Sequence, residues 1–591
     1  MDYAAHRTFL DVKRSLSERR WIERLSPRQT NIALEITQKL DVPDIMARVL
    51  AGRDVLTEQV PEFLDPSLRN LMPDPHSITD AQAAATRLAK AVSNGERVAI
   101  FGDYDVDGAA SSALLARFLR HFGIEAKIHI PDRIFEGYGP NANAMQALAE
   151  EASLIVTVDC GTNSSEAFSA VKTDIIVLDH HQVGGPLPET VAIVNPHRED
   201  DFSGLGYLCA AGVVFMTLVE TVRQLKADGH TQTPDLLQYL DLVALATVCD
   251  VVPLVGLNRA LVKKGILVAR RRQNRGLVEL AAAARIGEPL SPYHFGYILG
   301  PRINAGGRIG DASLGARLLV TDEAEDAKKL AAQLDDLNRQ RQLAEQTMVE
   351  DARASVAKEM ESQNPPAVII VANNQWHPGI VGLIAARLKE AFNRPAIAIA
   401  IDQSGKGTGS ARSIIGFDIG KLVRGAFEEG LLAKGGGHSM AAGLTVQHDQ
   451  IGALRSYIEE RSADAIAQIT ADAVLKIDGA LSSGAVTADL VTQLEQIGPY
   501  GAAHDQPLFA FPGHQIRYAK IVGNGHIKMT LEGKGARPVD AIAFRAADGP
   551  LGNTLLNAGG EPLHFAGTIS INRFNGREIP QVRVVDAAAP Q

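Results

Sequence analysis

Short apolar runs alternate with amphipathic stretches from about residue 86 onward, and this pattern fills the first half of the chain. Valine, isoleucine, leucine and phenylalanine dominate the runs, and turns or helix-length segments separate them. Strands that alternate with helices in this order are typical of a parallel sheet covered by helices. The pattern therefore predicts an α/β fold with strands at 97–101, 126–130, 154–158, 175–178 and 191–194.

A long polar stretch from about 323 to 361 follows, with Leu330, Leu334 and Leu337 at near-helical spacing and no glycine or proline. This spacing predicts one long linking helix, which Pro365 and Pro366 end. The apolar run 367–372 then begins a second, smaller α/β segment that continues to about 465.

Strand-like runs prevail after about residue 470, and two of them flank Asn575-Gly576, the strongest short signal for a hairpin. They predict a small antiparallel barrel, and an OB-type barrel would suit single-stranded nucleic acid. The residues before about 85 look helical and polar, are interrupted by prolines, and show no candidate chemistry.

Length and composition restrict the class of protein. A chain of 591 residues is too long for one hydrophobic core, so several domains are expected. It has no apolar run near the ~20 residues that cross a membrane, and its first residues do not resemble a secretory signal. We therefore expect a cytoplasmic protein.

The net charge of −10 argues against a protein that coats nucleic acid without sequence preference, because such binding neutralises phosphates with cations. An acidic balance fits an enzyme that gathers carboxylates around metal ions. The three cysteines, Cys160, Cys209 and Cys249, lack the spacing of a zinc or redox site and are interpreted as small buried residues.

Acidic residues and histidines follow the ends of the apolar runs. The sets are Asp103, Asp105 and Asp107 after the first run, then Asp159, then Asp179-His180-His181, and finally Asp250 after the run 242–248. The sequence does not decide whether this last run is a helix or a strand. Because parallel strands present their carboxyl ends at one edge of the sheet, we expect these side chains to meet in one crevice.

Clustered carboxylates repel one another unless cations are present, so a purely structural role is unattractive. A lone aspartate is usually a loop or cap residue, but coincidence is improbable for four clusters at four run ends. Carboxylates with imidazole suit divalent cations, Mn²⁺ first and Mg²⁺ as the alternative. There are too many ligands for one ion, which indicates a two-metal phosphodiesterase.

The string Asp-Tyr-Asp-Val-Asp-Gly at 103–108, together with Asp-His-His at 179–181, resembles the DHH phosphoesterase superfamily. The surrounding motifs are similar to those of its RecJ branch, and they are found at 133–139, 250–254, 300–308, 375–382 and 409–413. The junction at 502–507 departs from the family, whose members usually have Gly-Asn-Pro-Glu-Pro there. This departure leaves the predicted chemistry unchanged.

The resemblance implies metal ligands at Asp103, Asp105, Asp107, Asp159, His180 and Asp250, with Asp159 as the bridge. His181 would face the scissile phosphate, and Asp179 would support the histidines. Whether Asp103 binds metal directly or through water stays open, as does whether His181 donates a proton or only binds phosphate. The implied domains are an N-terminal helical region (1–85), a DHH catalytic domain (86–322), the linking helix (323–364), a DHH-associated domain (365–467) and an OB-fold domain (468–591).

Glycine-rich turns at 405–412 and 435–438 carry a hydroxyl, an imidazole and cations that suit phosphate. No nucleotide-binding glycine motif accompanies them. The resemblance implies that the DHH-associated domain faces the metals and that the substrate lies along Arg302, Asn304, Arg308, His377, Arg387, Ser410, Arg412 and His438. The basic stretch 263–275 is interpreted either as a solvated helix face or as a surface that follows a nucleic-acid backbone.

The resemblance predicts a metal-dependent exonuclease that degrades single-stranded DNA from the 5′ end in DNA repair and recombination. We expect a monomer, with a single-strand-binding protein or a repair helicase as candidate partners. One alternative is a DHH phosphodiesterase that acts on short oligonucleotides or cyclic dinucleotides. The other is a scaffold that binds nucleic acid without cleaving it, although such a protein would be expected to lose ligands.

Overall fold

The computed structural model describes residues 7–132, 136–137, 139–574 and 577–590. The chain divides into two compact units. The first unit contains Met1–Met72, Pro253–Ala260 and Asp472–Gln591, and the second contains Pro73–Val252 and Leu261–Ala471.

The strands are numbered in chain order. They are β1 (Arg20–Glu23), β2 (Val98–Gly102), β3 (Lys127–His129), β4 (Leu154–Val158), β5 (Asp174–Leu178), β6 (Ala192–Val194), β7 (Ile369–Asn373), β8 (Ala396–Ile401), β9 (Lys406–Arg412), β10 (Lys434–His438), β11 (Ala441–Gln447), β12 (Val474–Ile477), β13 (Gly479–Ala480), β14 (Phe509–Val522), β15 (His526–Glu532), β16 (Val539–Ala543), β17 (Leu563–Phe574) and β18 (Arg577–Ala588).

The α-helices are numbered in the same way. They are α1 (Pro27–Leu40), α2 (Asp44–Ala51), α3 (Val60–Leu64), α4 (Leu68–Leu71), α5 (Ala81–Asn94), α6 (Val106–His121), α7 (Ala142–Glu151), α8 (Ser165–Ser169), α9 (Ala210–Ala227), α10 (Leu240–Cys249), α11 (Gly256–Arg270), α12 (Arg275–Ala283), α13 (Gly300–Ile309), α14 (Leu314–Val320), α15 (Ala324–Met360), α16 (Val381–Phe392), α17 (Ile419–Glu428), α18 (Ile451–Ala471), α19 (Ala488–Ile497) and α20 (Pro550–Asn557). No helix in the described part of the chain combines the length and apolar character that crossing a membrane requires.

The first sheet of the second unit is parallel throughout, in the order β3-β2-β4-β5-β6. Every residue of β2 and β4 is buried, which explains why their sequences are apolar without alternation. The predicted parallel α/β sheet is confirmed, and the carboxyl ends of β2, β4 and β5 lie side by side at one edge.

The second sheet of this unit has the order β10-β11-β9-β8-β7, in which only β7 and β8 are parallel. Helix α15 precedes it and confirms the predicted linking helix. Helix α10 resolves the run 242–248 as helical. Most of α10 is buried, so its sequence lacks the polar face that would have identified a helix.

The first unit holds a six-stranded sheet in the order β13-β14-β15-β16-β18-β17, and pairing of β14 with β17 closes five of these strands, β14 to β18, into a barrel. The β13–β14 and β16–β18 pairs are parallel, so the barrel is not antiparallel throughout as predicted. Strands β17 and β18 pair antiparallel, but the predicted Asn575-Gly576 turn lies outside the described residues.

The N-terminal residues belong to the same compact unit as the barrel. Strand β1 pairs in parallel with β12, and the Trp21 indole donates a hydrogen bond to Asp586 Oδ2 at 3.0 Å. The sequence suggested a separate helical region, and polar composition gave no sign of this pairing. The five domain boundaries drawn from the sequence stay a prediction.

Candidate metal centre

The loop after β2 is held by hydrogen bonds of its own aspartates. Asp105 is the N-cap of α6, and its Oδ1 accepts from the backbone N–H groups of Asp107 at 2.9 Å and Gly108 at 3.1 Å. A Cβ atom on Gly108 would lie 2.4 Å from the backbone oxygen of Asp103, so only glycine allows the helix to start this close to the strand end.

Asp107 lies in the first turn of α6 and faces the start of another helix. Its two oxygens accept from the backbone N–H groups of Ala210 at 2.7 Å and Ala211 at 2.9 Å, at the N-terminus of α9. The positive end of the helix dipole stabilises a carboxylate at this position. Two helices therefore fix a buried anion beside the strand ends.

Asp159 follows β4 directly and is 1% exposed. Its φ of 61° is left-handed, a conformation that aspartate tolerates better than most residues. The turn brings Oδ1 of Asp159 to 3.2 Å from Nε2 of His180.

The Asp-His-His segment after β5 is organised by its aspartate. Oδ1 of Asp179 accepts from the backbone N–H of His180 at 2.7 Å and from Nδ1 of His181 at 2.8 Å. The other oxygen accepts from the backbone N–H of Thr162 at 3.1 Å. Asp179 therefore hydrogen-bonds both residues of the His-His pair, and its role in catalysis stays a prediction.

Two further residues, missed by sequence reasoning, hold this segment in place. The Asn195 amide donates to the His181 carbonyl at 2.8 Å and to Thr162 Oγ1 at 2.9 Å, and His197 Nδ1 hydrogen-bonds the His180 carbonyl. Both residues follow β6. The signal was available, because they stand after an apolar run just as the aspartates do.

Asp250 comes from a helix rather than from a strand. It is the C-cap of α10, and its Oδ2 lies 3.7 Å from Nε2 of His180. This oxygen is buried and accepts no hydrogen bond from the described residues. A buried carboxylate oxygen of this kind fits a metal ligand.

Potential ligand atoms form three overlapping groups, and within each group they lie within 4.8 Å of one another. Asp159 and His180 each occur in two of the groups, and a bridging role for Asp159 stays a prediction. The groups are Asp159 with His180 and His181, Asp107 with His180 and Asp250, and Asp103 with Asp105 and Asp159. Carboxylate and imidazole donors at this density fit divalent cations such as Mn²⁺.

The electrostatics support this fit. Burial and neighbouring carboxylates raise the pKa of Asp107 to about 6, that of Asp250 to about 9, and that of Asp159 well above its ordinary value. Burial lowers the pKa of His180 to about 3, which keeps its Nε2 available to a metal. The cluster needs positive charge to hold all its carboxylates ionised.

His181 has the opposite character. Burial alone would lower its pKa, but the hydrogen bond and charge of Asp179 outweigh burial and raise it to about 9. The same pairing holds the pKa of Asp179 below its ordinary value despite complete burial. Asp179 therefore engages Nδ1 of His181 and favours the protonated form of its ring.

The cysteines have no place in this chemistry. Cys160 and Cys209 are buried, Cys249 is half-buried, and burial with nearby carboxylates raises the pKa of all three thiols. They are packing residues.

Helix α13 connects the loop after β2 with the second sheet. A Cβ atom on Gly307 would lie 2.7 Å from the Tyr104 carbonyl oxygen, which shows how closely α13 approaches that loop. At the next residue, Arg308 Nη1 donates to the Gly379 carbonyl at 3.2 Å, and His377 Nδ1 accepts from the Gly379 backbone at 3.1 Å. Asn304 lies half-buried on the same helix.

Ser410 and Arg412 belong to β9, and their side chains lie close to Gly382 at the start of α16. Arg412 Nη1 donates to Ser410 Oγ at 2.9 Å, and a Cβ atom on Gly382 would lie 2.9 Å from Arg412 Nη2. Burial lowers the pKa of His438, and the charges of His181 and Arg412 lower it further. The structure thus brings Arg412, His438 and His181 into one electrostatic environment.

Arg302 and Arg387 are tied into ion pairs. Arg302 Nε donates to Asp335 at 2.9 Å, and Arg387 Nε donates to Glu345 at 2.8 Å. Glu345 also pairs with the buried Arg341. Substrate contact by either arginine stays a prediction. Of the motif aromatics, Trp376 is 7% exposed and donates to Asp351, whereas Tyr138 lies outside the described residues.

Three segments of the chain match known families. Residues 97–247 match the DHH family, N-terminal domain, residues 364–464 match the DHHA1 domain, and residues 477–586 match the RecJ OB domain. Together they cover both sheets of the second unit and the barrel of the first.

The chain is also similar to curated proteins over nearly its whole length. It is 33% identical over 573 residues to the single-stranded-DNA-specific exonuclease RecJ of Escherichia coli (strain K12), covering 93% of this chain and 96% of that protein. It is 31% identical over 585 residues to the protein of the same name in Bacillus subtilis (strain 168), covering 97% and 71%.

Solved structures agree with this similarity. RecJ from Thermus thermophilus in complex with Mn²⁺ superposes with a TM-score of 0.77 at 30% identity, covering 96% of this chain and 79% of that chain. The Mg²⁺ complex gives a TM-score of 0.71 at 28% identity, covering 96% and 78%. With this identity, this coverage and the three matched domains, the chain belongs to the RecJ family of DHH proteins.

Proposed function

We propose that the protein is a metal-dependent exonuclease that degrades single-stranded DNA in the 5′ to 3′ direction, in DNA repair and recombination. The observation that carries the proposal is the convergence of three ligand groups around His180 and Asp159 in a chain of this family. The relatives named above are single-stranded-DNA-specific exonucleases, which supports the substrate class.

The metal ligands we propose are Asp103, Asp105, Asp107, Asp159, His180 and Asp250, with Asp159 shared between two ions. Two bound divalent cations lower the pKa of an attacking water and stabilise the attacking and leaving oxygens of a phosphodiester. Asp107 is oriented by the N-terminus of α9, and Asp250 by the end of α10. The chain therefore fixes the positions of ligands from several separate elements.

His181 is the residue that we assign to the scissile phosphate. Asp179 engages Nδ1, and we assign Nε2 as the ring nitrogen that donates a hydrogen bond to a phosphate oxygen. The raised pKa keeps the ring protonated near neutral pH, which favours an anionic ligand. Asp179 acts through this ring as a positioning residue.

The substrate strand would be held by Arg302, Asn304, Arg308, His377, Arg387, Ser410, Arg412 and His438. Arg412 and Ser410 are the strongest candidates, because a guanidinium and a hydroxyl near the start of α16 suit a phosphate. Arg308 and His377 join α13 to the second sheet, so we infer that they shape the path as well as line it.

The barrel offers a surface of its own to a single strand. Lys520 and Lys528 are register partners on β14 and β15, and Lys520 Nζ lies 5.8 Å from the ring centre of the exposed Tyr518. Arg583 lies 4.6 Å over the half-exposed Phe544 ring. Cations combined with accessible aromatic rings are suited to single-stranded DNA.

We further propose a cytoplasmic monomer. A single-strand-binding protein or a repair helicase is the kind of partner that would supply its substrate. Both proposals rest on the similarity to relatives that act on DNA. Sedimentation of the purified protein tests whether it is a monomer, and co-sedimentation with either partner tests whether that partner binds.

Digestion of single strands labelled at the 5′ or the 3′ end, with Mn²⁺ present, tests substrate and polarity together. We expect the 5′ label to appear at once in the shortest product, while the 3′-labelled strand shortens progressively. Early release of the 3′ label would overturn the polarity. Strong preference for a dinucleotide would favour the small-substrate alternative, and no hydrolysis would favour the scaffold.

A further inference from the structure

Two exposed tyrosines form a stacked pair on the turn that leads into α13. The rings of Tyr293 and Tyr297 have centroids 5.3 Å apart and planes inclined by 26°, and the residues are 54% and 75% exposed. Single exposed aromatic side chains are common, but a preformed stack of two is costly to leave in water unless it has a use. Nothing in the proposed mechanism uses this pair.

The backbone beneath the pair is a π-helical turn, His294–Leu299. Its inner residues Phe295 and Leu299 are fully buried, and His294 is held by Ser291 at 2.7 Å and Glu288 at 3.1 Å. Single π-helical turns occur frequently at functional sites. Buried side chains and hydrogen bonds therefore hold the turn in place, and its two tyrosines face outward.

The turn is attached to the helix that supplies Asp250. Cys249 Sγ donates to the Phe295 carbonyl at 3.3 Å, and a Cβ atom on Gly300 would lie 2.5 Å from that sulfur. Cys249 is the last residue of α10 and immediately precedes Asp250. Phe295 therefore contacts the helix that supplies Asp250, and the two tyrosines lie two residues before and two residues after it in the sequence.

Uncompensated cations lie near the same turn. Arg270 Nε donates to the Leu290 carbonyl at 2.8 Å, which brings the end of α11 to the segment that leads into Tyr293. Arg271 and Arg272 follow, are exposed, and form no ion pair with any residue that the structure describes. The two adjacent arginines therefore leave positive charge available to an anionic ligand in a chain of net charge −10.

We infer that Tyr293 and Tyr297, with Arg271 and Arg272, form an accessory surface that binds single-stranded nucleic acid by base stacking and phosphate contact. The inference rests on the proposed function and names an additional part of its substrate path. A stack of two rings can be extended by a nucleobase regardless of sequence, and flanking arginines neutralise the phosphates. Such a surface holds a long strand near the metal centre between successive cuts.

The test compares a long single strand with a trinucleotide as substrates of the full-length protein. For Tyr293→Ala/Tyr297→Ala we expect the ratio of kcat/KM on the long strand to that on the trinucleotide to fall about 5-fold or more, because stacking strengthens binding by at least that factor. Tyr293→Phe/Tyr297→Phe keeps both rings and should restore the ratio. Phe202→Ala removes a ring that is 90% exposed elsewhere in the same unit and should leave the ratio unchanged.

The arginines have their own readout. For Arg271→Gln/Arg272→Gln, the slope of log Kd against log salt concentration should fall by about 1.4, since each phosphate contact on a single strand contributes about 0.7. Lys90→Gln/Lys172→Gln removes the same charge from exposed positions near the amino ends of the parallel strands and should not change the slope.

The outcomes separate this inference from the proposed function. If the unmodified protein fails to shorten single strands, the proposed function is wrong. If it shortens them and both variant sets keep the wild-type ratio and slope, the accessory surface is wrong. A changed ratio that the phenylalanine variant does not restore would also overturn stacking, and would assign the effect to the tyrosine hydroxyl groups.

Discussion

Oδ1 of Asp179 and Nδ1 of His181 are joined by a 2.8 Å hydrogen bond between residues only two positions apart. The same oxygen accepts the backbone N–H groups of both histidines. One carboxylate therefore sets the orientation of the loop and the charge of the ring. The two histidines differ in consequence: burial favours the neutral form of His180, which suits a metal ligand, whereas Asp179 favours the protonated form of His181, which suits a phosphate.

Replacement of Asp179 tests this division of roles. In Asp179→Asn an oxygen still accepts backbone hydrogen bonds, but the charge that stabilises protonated His181 is lost. We expect kcat to fall about 10–100-fold, the range found when a supporting residue is removed from a metal site, with Mn²⁺ affinity within a few-fold of wild type. The measurements are single-turnover kinetics and Mn²⁺ titration.

Asp174→Asn is the matched control, since it removes a carboxylate from the opposite end of the same strand, where it pairs with Arg87. It should retain the wild-type kcat. An Asp179→Asn protein with unchanged kcat would contradict the assigned role.

Asp159→Asn tests the shared ligand. Asparagine is chosen because the left-handed backbone at this position would strain most other residues. The metal-free variant should unfold no earlier than the wild type, since one of several crowded carboxylates has been removed. Hydrolysis should be lost.

The thermal shift with Mn²⁺ should be lost as well. At a metal concentration of 100 times Kd, binding stabilises the folded wild type by about 2.7 kcal/mol, and thermal unfolding in EDTA and in Mn²⁺ measures this difference. A full shift and full activity in the variant would remove Asp159 from the site.

Gly108→Ala tests the close approach of α6 to β2. The new methyl group would meet the Asp103 backbone at 2.4 Å, so strand end and helix must separate. We expect a loss of about 1–3 kcal/mol in the free energy of unfolding, together with weaker Mn²⁺ binding. Gly452→Ala, in a helix where no atom lies within 4 Å of the new methyl, should be neutral or stabilising. Wild-type metal affinity in Gly108→Ala would contradict this prediction, because it would show that the loop accommodates the methyl group without moving the metal ligands.

Asp241 predicts a pH dependence of stability away from the metal ligands. This residue of α10 is 3% exposed, and burial raises its pKa from 3.8 to about 6. The folded state therefore binds this proton more tightly than the unfolded chain does. Its contribution to stability is complete below about pH 4 and disappears as pH rises through about 6.

Asp241→Asn removes the cost of burying the charge. At pH 7.5 the variant should be more stable than wild type by up to about 3 kcal/mol, and the two should converge near pH 4. Urea unfolding across this range measures both. Equal stability at pH 7.5 would show that the Leu242 backbone and Arg117 already compensate the carboxylate.

The clustering of the metal-centre residues could be predicted from the sequence because parallel strands end at the same edge of a sheet. Asp103, Asp159 and Asp179 follow strands that are neighbours in the sheet, so their position after apolar runs was enough to bring them together. Asp250 was found by the same rule although its element is a helix. Its run is buried on all sides, and burial removes the periodicity that distinguishes a helix from a strand.

The remainder depended on tertiary contacts that no local pattern encodes. The donors to Asp107 are backbone N–H groups of Ala210 and Ala211, whose side chains carry no signal. Arg387 was predicted to contact the substrate, yet its partner Glu345 lies on α15. Predicted substrate residues can therefore also be structural, and only the packed chain shows which ion pairs they form.

The pairing of β1 with β12 has a consequence for how the protein is made. Arg20 pairs with Val474, and Trp21 and Ile22 become fully buried in the completed unit. A ribosome releases β1 long before β12, so these apolar side chains lack their final partners while the residues between the two strands are synthesised. The sequence-distant contact also makes closure of the first unit slow. The N-terminal strand is therefore a segment whose apolar side chains stay unpaired and open to a chaperone until the C-terminal part of the chain has been synthesised.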